Sequence, residues 1–220
     1  MASPLRSPRV VKTSRIDKMH EFIATFVFFF AVIDPIGTIP VYMAVTAGMT
    51  EPAKRRVAAK SIAIAAAVLV FFVIAGELIL TSIDIPLSAF QVSGGIILFL
   101  FALTMIFGES KPEEEIKMIN RESETATFPL AIPSIASPGA ILAAVLLTEN
   151  NRFDLWEQFL TTAIMCLVLF ITLILMLLSS FIHRFVGTLG TSIISRVMGM
   201  ILAALAVTNI LSGIQVFFGL

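Results

Sequence analysis

Asp34 is the only charged side chain between Phe22 and Val45, in an apolar stretch long enough to cross a bilayer. A carboxylate at that depth costs several kcal/mol and persists where it faces a bundle interior or a watery pathway. There it could hold an ammonium group, a sodium ion or a proton. Its setting is Asp34-Pro35-Ile36-Gly37-Thr38-Ile39-Pro40. Pro35 removes a backbone donor and clashes with the preceding turn, Gly37 loosens the next, and Pro40 repeats the interruption, so the helix is expected to break here. Broken backbone at membrane depth lines a cavity or is buried in protein. The stretch therefore reads as half of a binding site in a transport protein.

A second break lies in Phe128-Pro129-Leu130-Ala131-Ile132-Pro133-Ser134-Ile135-Ala136-Ser137-Pro138-Gly139-Ala140. Two broken helices of opposite direction bring half-helix N-termini toward one point, where free amides and the backbone dipole favour a carboxylate. With Asp34 supplying the opposite sign, the pair suits a zwitterion, whose carboxylate is expected to meet the Gly37 and Gly139 backbones. Asp34, Thr38, Tyr42 and Thr46 fall at spacing four, on one face if the helix resumes after its break. Ser134 and Ser137 offer hydroxyls, and Thr208, Asn209 and Ser212 place polar groups in the last segment. Each has a plainer reading: hydroxyls bond nearby carbonyls, Tyr42 reaches the interface, and Asn209 ties helix to helix. The candidate substrate-binding set is Asp34, Pro35, Gly37, Thr38, Tyr42, Ser134, Ser137, Pro138, Gly139 and Asn209.

The elements that must position these groups follow from composition. With 58% hydrophobic and 14% charged residues, the chain lies outside the range of soluble domains and reads as an integral membrane protein. Apolar segments run roughly from Phe22 to Thr46, Val57 to Leu80, Pro86 to Phe107, Phe128 to Thr148, Phe159 to Ile182 and Val197 to Phe218, each long enough to span. The expectation is an all-α bundle of six transmembrane helices. Ala59, Ala63 and Ala67 form a small-residue stripe suited to close helix packing. Glu77 reads as a solvated carboxylate near an interface. Cys166, the single cysteine, carries no disulfide or redox message.

Residues 1–18 read as a disordered basic tail, with Met19 a second candidate start. Residues 108–127 read as a charged connector. Lysines and arginines cluster after the first, third and fifth segments, whereas the loops after the second and fourth carry only Arg152. By the positive-inside rule the odd connections are cytoplasmic and both termini lie outside, although the basic tail pulls the other way.

Sliding the chain by 103 places Asp34-Pro35 on Ser137-Pro138. A slide of 105 places Val92, Gly94, Ile96, Leu100 and Gly108 on Val197, Gly199, Ile201, Leu205 and Gly213. Each half, 19–107 and 128–220, then has one broken helix followed by two regular ones. Three crossings is an odd number, so the second half enters from the opposite side, as in inverted-repeat transporters.

The two signature stretches, Asp34 to Pro40 and Pro129 to Ala140, together with Arg196-Val197-Met198-Gly199, resemble the MarC family of six-span bacterial and archaeal membrane proteins. The likeness runs from about Met19 to Leu220, so the first 18 residues are a departure. It implies a fold related to the lysine-exporter superfamily and a place in the cytoplasmic membrane, with some members described as neutral amino-acid transporters. It brings no residue-level assignment.

The leading expectation is a secondary transporter of small neutral amino acids or similar zwitterions, alternating access around a midplane site at the two breaks. The alternative is a passive ion or small-solute channel. An enzyme is not expected, since His20 and His183 flank helices and no buried base sits beside a serine. No metal-ligand cluster or nucleotide-binding loop is present in the sequence, so no cofactor is expected beyond a coupling proton or sodium ion. The expected partners are an amino-acid substrate and the bilayer; nucleic acid is not one, and a homo-oligomer stays open.

Overall fold

A computed structural model describes residues 15–107, 130–150 and 153–219. The proposed tail therefore lies almost wholly outside the described residues, and the connector wholly outside them. Among the described residues the regular structure is helical: α1 (Arg15–Ile33), α2 (Thr38–Val45), α3 (Glu51–Ser82), α4 (Leu87–Phe107), a π-helical turn (Leu130–Ile135), α5 (Pro138–Leu146), α6 (Leu155–Leu177) and α7 (Ser179–Phe218). Helices satisfy their own backbone polar groups, which lipid cannot do.

Among the described residues, five helical stretches are long and apolar enough to cross a membrane: Met19–Val45, Glu51–Ser82, Leu87–Phe107, Leu155–Leu177 and Ser192–Phe218. The fourth expected segment is not a continuous helix. Its described part is the π turn, in which Ile132 is extended (φ −140°, ψ 124°) and the Ile132–Pro133 peptide is cis, followed by the nine residues of α5.

Local chemistry sets the helix ends. Asp154 and Glu157 form a reciprocal capping box at the start of α6. Pro52 and Pro138 stand in the first turns of α3 and α5, where a missing N–H costs nothing. The same reasoning corrects the expectation for Pro40. It is the third residue of α2 and does not interrupt the helix, because first-turn amides have no intrahelical partner anyway. Inside α7 the chain bends at Gly187, whose φ of 62° suits a residue without a Cβ.

Packing corrects a second expectation. Ala59, Ala63 and Ala67 are exposed, and the buried face of α3 is Ala58, Ser61, Ala65, Leu69 and Gly76. The small-residue seam instead joins α4 to α7. A Cβ on Gly95 would stand 3.1 Å from the Ala206 carbonyl, one on Gly199 3.1 Å from that of Ala102, and one on Gly213 2.8 Å from that of Ser88. As numbers rise in α4 they fall in α7, so the two helices are antiparallel. Arg196 closes one end by donating to the Ile106 carbonyl at 3.1 Å, one of the carbonyls that the end of α4 leaves unpaired.

Candidate functional site

The two breaks lie within the buried core, where α1 packs against α5 and α2 against the π turn. Helix α1 ends at Ile33 and Asp34 takes φ 50°, a left-handed conformation that aspartate tolerates better than most residues. The turn is closed locally. The Gly37 amide donates to Asp34 Oδ1 at 3.0 Å, the Thr38 amide to the Asp34 carbonyl at 3.1 Å, and Thr38 Oγ1 to that same carbonyl at 2.9 Å.

Asp34 is 1% exposed, and its Oδ2 has no hydrogen-bond partner among the described residues. Gly37 has ordinary helical dihedrals (φ −65°, ψ −22°), so its lack of a side chain answers a different need. A Cβ there would overlap Oδ2 and stand 2.7 Å from the Asp34 Cγ. The carboxylate occupies the space a side chain would fill.

The second break reaches across to the first. Ser137, the N-cap of α5, accepts from the Ala140 amide at 3.2 Å and donates its hydroxyl proton to the Val32 carbonyl at 2.8 Å. In an unbroken helix that carbonyl would accept from residue 36; the turn at Asp34 removes that continuation. Gly139 allows the approach, since a Cβ there would come within 2.7 Å of Leu98 Cδ1 and 3.3 Å of Val32 Cγ1. Pro35, Ser134 and Gly139 are buried beside these groups in sequence, whereas Pro138 is exposed.

Two of the residues singled out from sequence lie elsewhere. Tyr42 is buried but lines a cleft of about 180 Å³ with Glu51, Lys54, Arg55 and the α6–α7 junction. Glu51 and Lys54 are paired there at 2.9 Å. Asn209 accepts from the Gln91 amide at 3.3 Å, tying α7 to α4, and lines a separate cleft of about 390 Å³ among α1, α6 and α7. The spacing-four stripe does share a buried face, but its hydroxyls serve the backbone: Thr46 Oγ1 donates to the Tyr42 carbonyl at 2.7 Å, as Thr38 does to Asp34. The Gly37 amide, expected to face a substrate carboxylate, is engaged by Asp34 instead.

Sequence reasoning missed three partners. The Val32 carbonyl carries no side-chain signal at all. Gln91 could have been found as a lone amide in an apolar helix, matching Asn209 in the last. Glu77 is not simply solvated: its Oε2 accepts from both the backbone and side-chain nitrogens of Asn150, each at 2.8 Å, and holds the turn after α5 against α3. No group of acidic, histidine or cysteine side chains suited to a metal ion occurs among the described residues.

The sequence profile of the MarC family integral membrane proteins matches residues 19–218. A UPF0056 membrane protein of Methanocaldococcus jannaschii is 34% identical over 200 residues, covering 90% of this chain and 97% of its own. The UPF0056 inner membrane protein YhgN of Escherichia coli K12 is also 34% identical over 200 residues, covering 90% and 98%. One from Aquifex aeolicus is 31% identical over 201 residues, covering 88% and 92%. No solved structure matches the chain. A match that begins at Met19, takes in both broken stretches and runs to the end of α7 leaves one conclusion: the chain belongs to the MarC family of integral membrane proteins.

Proposed function

We propose that this protein is a secondary transporter of small neutral amino acids or similar zwitterions, built from two three-span halves of opposite topology that alternate access around the two breaks. The observation that carries the reading is the junction itself. A membrane-buried carboxylate with one unpartnered oxygen stands in one break, and that break is bonded through Val32 and Ser137 to the other. A purely structural bundle has no use for a buried charge that a serine or alanine could replace without the desolvation cost.

The helix seam supports the two-half reading. Under the slide of 105 residues α4 falls on the later part of α7, and these two helices pack antiparallel with glycines of each against carbonyls of the other. A two-fold axis in the membrane plane would produce that pattern. Likewise α2 packs against the π turn and α5 against α1, as exchange of the halves requires. The substrate amine would face Asp34, and its carboxylate the N-terminal turn of α5.

Counterflow tests this directly. Vesicles containing the purified protein and loaded with unlabelled alanine or serine are expected to take up the labelled amino acid faster than empty vesicles, and Asp34→Asn to abolish the difference. A passive ion conductance with no counterflow would replace the transporter reading by a channel.

A further inference from the structure

The cleft beyond the end of α2 holds two hydroxyls that the fold leaves unanswered. Elsewhere in the helices hydroxyls return to a carbonyl one turn back, as Thr46 does to Tyr42, Thr148 to Ala144 and Thr172 to Val168. Ser179 does not, and Tyr42, whose ring carries its hydroxyl away from its own helix, cannot. Each residue is buried, at 3% exposure for Tyr42 and 4% for Ser179, yet neither hydroxyl has a hydrogen-bond partner among the described residues. Neither oxygen is sealed inside the protein as Asp34 Oδ2 is. Both side chains line the same cleft of about 180 Å³.

The charges around that cleft do not cancel. Lys54 and Glu51 are paired at 2.9 Å, whereas Arg55 has no ion pair among the described residues. One uncompensated positive charge thus stands with two free hydroxyls, which suits an anion. The donors also come from three elements: Tyr42 on α2, Arg55 on α3 and Ser179 at the start of α7. A carboxylate offers two oxygens in one plane. A phosphate offers oxygens in tetrahedral directions, two of which a guanidinium fork can engage while the others face elsewhere.

Position and size narrow the choice further. The 46–50 turn and the α6–α7 junction each separate two stretches long and apolar enough to cross the membrane, so the cleft opens at the bilayer surface, at the level of lipid phosphates. Leu177, Leu178 and Phe181 at that junction are exposed and apolar, as a surface beside acyl chains would be. At about 180 Å³ the cleft is smaller than the roughly 300–1,000 Å³ of pockets that enclose a whole drug-sized ligand. We propose that it is a phosphate-binding site, in which Arg55 pairs with the anion and the Tyr42 and Ser179 hydroxyls donate to its remaining oxygens. The phosphate belongs to an anionic lipid headgroup or is free in solution. The site is separate from the two breaks and does not depend on what the protein transports.

Thermal unfolding of the full chain in dodecyl maltoside micelles tests this, because the detergent carries no phosphate. A ligand bound to the folded state raises the midpoint by mass action. Phosphatidylglycerol should raise it, relative to a diacylglycerol of the same acyl chains. Arg55→Gln should weaken the apparent affinity at least about tenfold, and Tyr42→Phe and Ser179→Ala about threefold each. Arg56→Gln, one residue along and outside the cleft lining, should leave it unchanged. Inorganic phosphate, compared with chloride at equal ionic strength, separates the sources: stabilisation by it assigns the site to the free ion, and a response to phosphatidylglycerol alone assigns it to lipid. No response to either probe would overturn the proposal. So would a response that Arg55→Gln and Tyr42→Phe retain, or one that Arg56→Gln weakens as much as Arg55→Gln does, which is attraction to surface charge.

Discussion

The hydroxyl of Ser137 lies 2.8 Å from the carbonyl of Val32, a residue 105 positions earlier, and both are buried. One oxygen thus caps α5, through the Ala140 amide, and satisfies the broken end of α1. Ser137→Ala removes both functions. The stranded carbonyl costs about 1–3 kcal/mol, and the lost N-cap about 1 kcal/mol more. Thermal unfolding in detergent should show a clear fall in midpoint, with Ser137→Thr recovering part of it. An alanine variant as stable as wild type would mean that the interhelical bond contributes nothing.

Gly37→Ala should destabilise by about 1–3 kcal/mol, the usual cost of overpacking a filled site. The cause is specific: the added methyl displaces the Asp34 carboxyl. Asp34→Ala removes the obstruction, so the double variant should be more stable than the sum of the two single changes implies. Strict additivity in a double-mutant cycle would show that the methyl strains something else.

Gln91 and Asn209 form a side-chain hydrogen bond between α4 and α7, at 3.3 Å. Bonds of this kind in membrane bundles couple by about 0.6 kcal/mol on average. A cycle of Gln91→Leu and Asn209→Leu should return a coupling of that size. Counterflow should survive both changes, since Asn209 ties helices and does not reach the breaks. Loss of counterflow with unchanged stability would return Asn209 to the substrate site.

Glu77→Gln and Asn150→Ala should each lower stability by about 1 kcal/mol, the worth of a charge-assisted bond discounted for partial exposure. The two changes touch the same clasp between α3 and the turn after α5, so their effects should not add. Limited proteolysis between α5 and α6 gives a second readout and should quicken in both variants.

Composition and hydrophobic runs were enough to define a helical membrane protein, because lipid admits few other backbones and five stretches among the described residues are long and apolar enough to cross it. The two breaks were equally legible, since proline and glycine act on the backbone within a turn of where they stand. Asp34 was legible as a site because a lone charge in an apolar run must have a reason.

What the sequence could not supply is which neighbours meet. Periodicity marked Ala59, Ala63 and Ala67 as a packing stripe, yet burial one residue around the helix put Ala58 and Ala65 inside instead. Tyr42 and Asn209 share chemistry with the breaks but not position, because a polar residue's depth in its own helix does not say which helix it faces. The role of Gly37 depends on a neighbouring carboxylate turning back over it. The bond from Ser137 to Val32 depends on a carbonyl, which every residue has and which only the meeting of two distant chain segments can select.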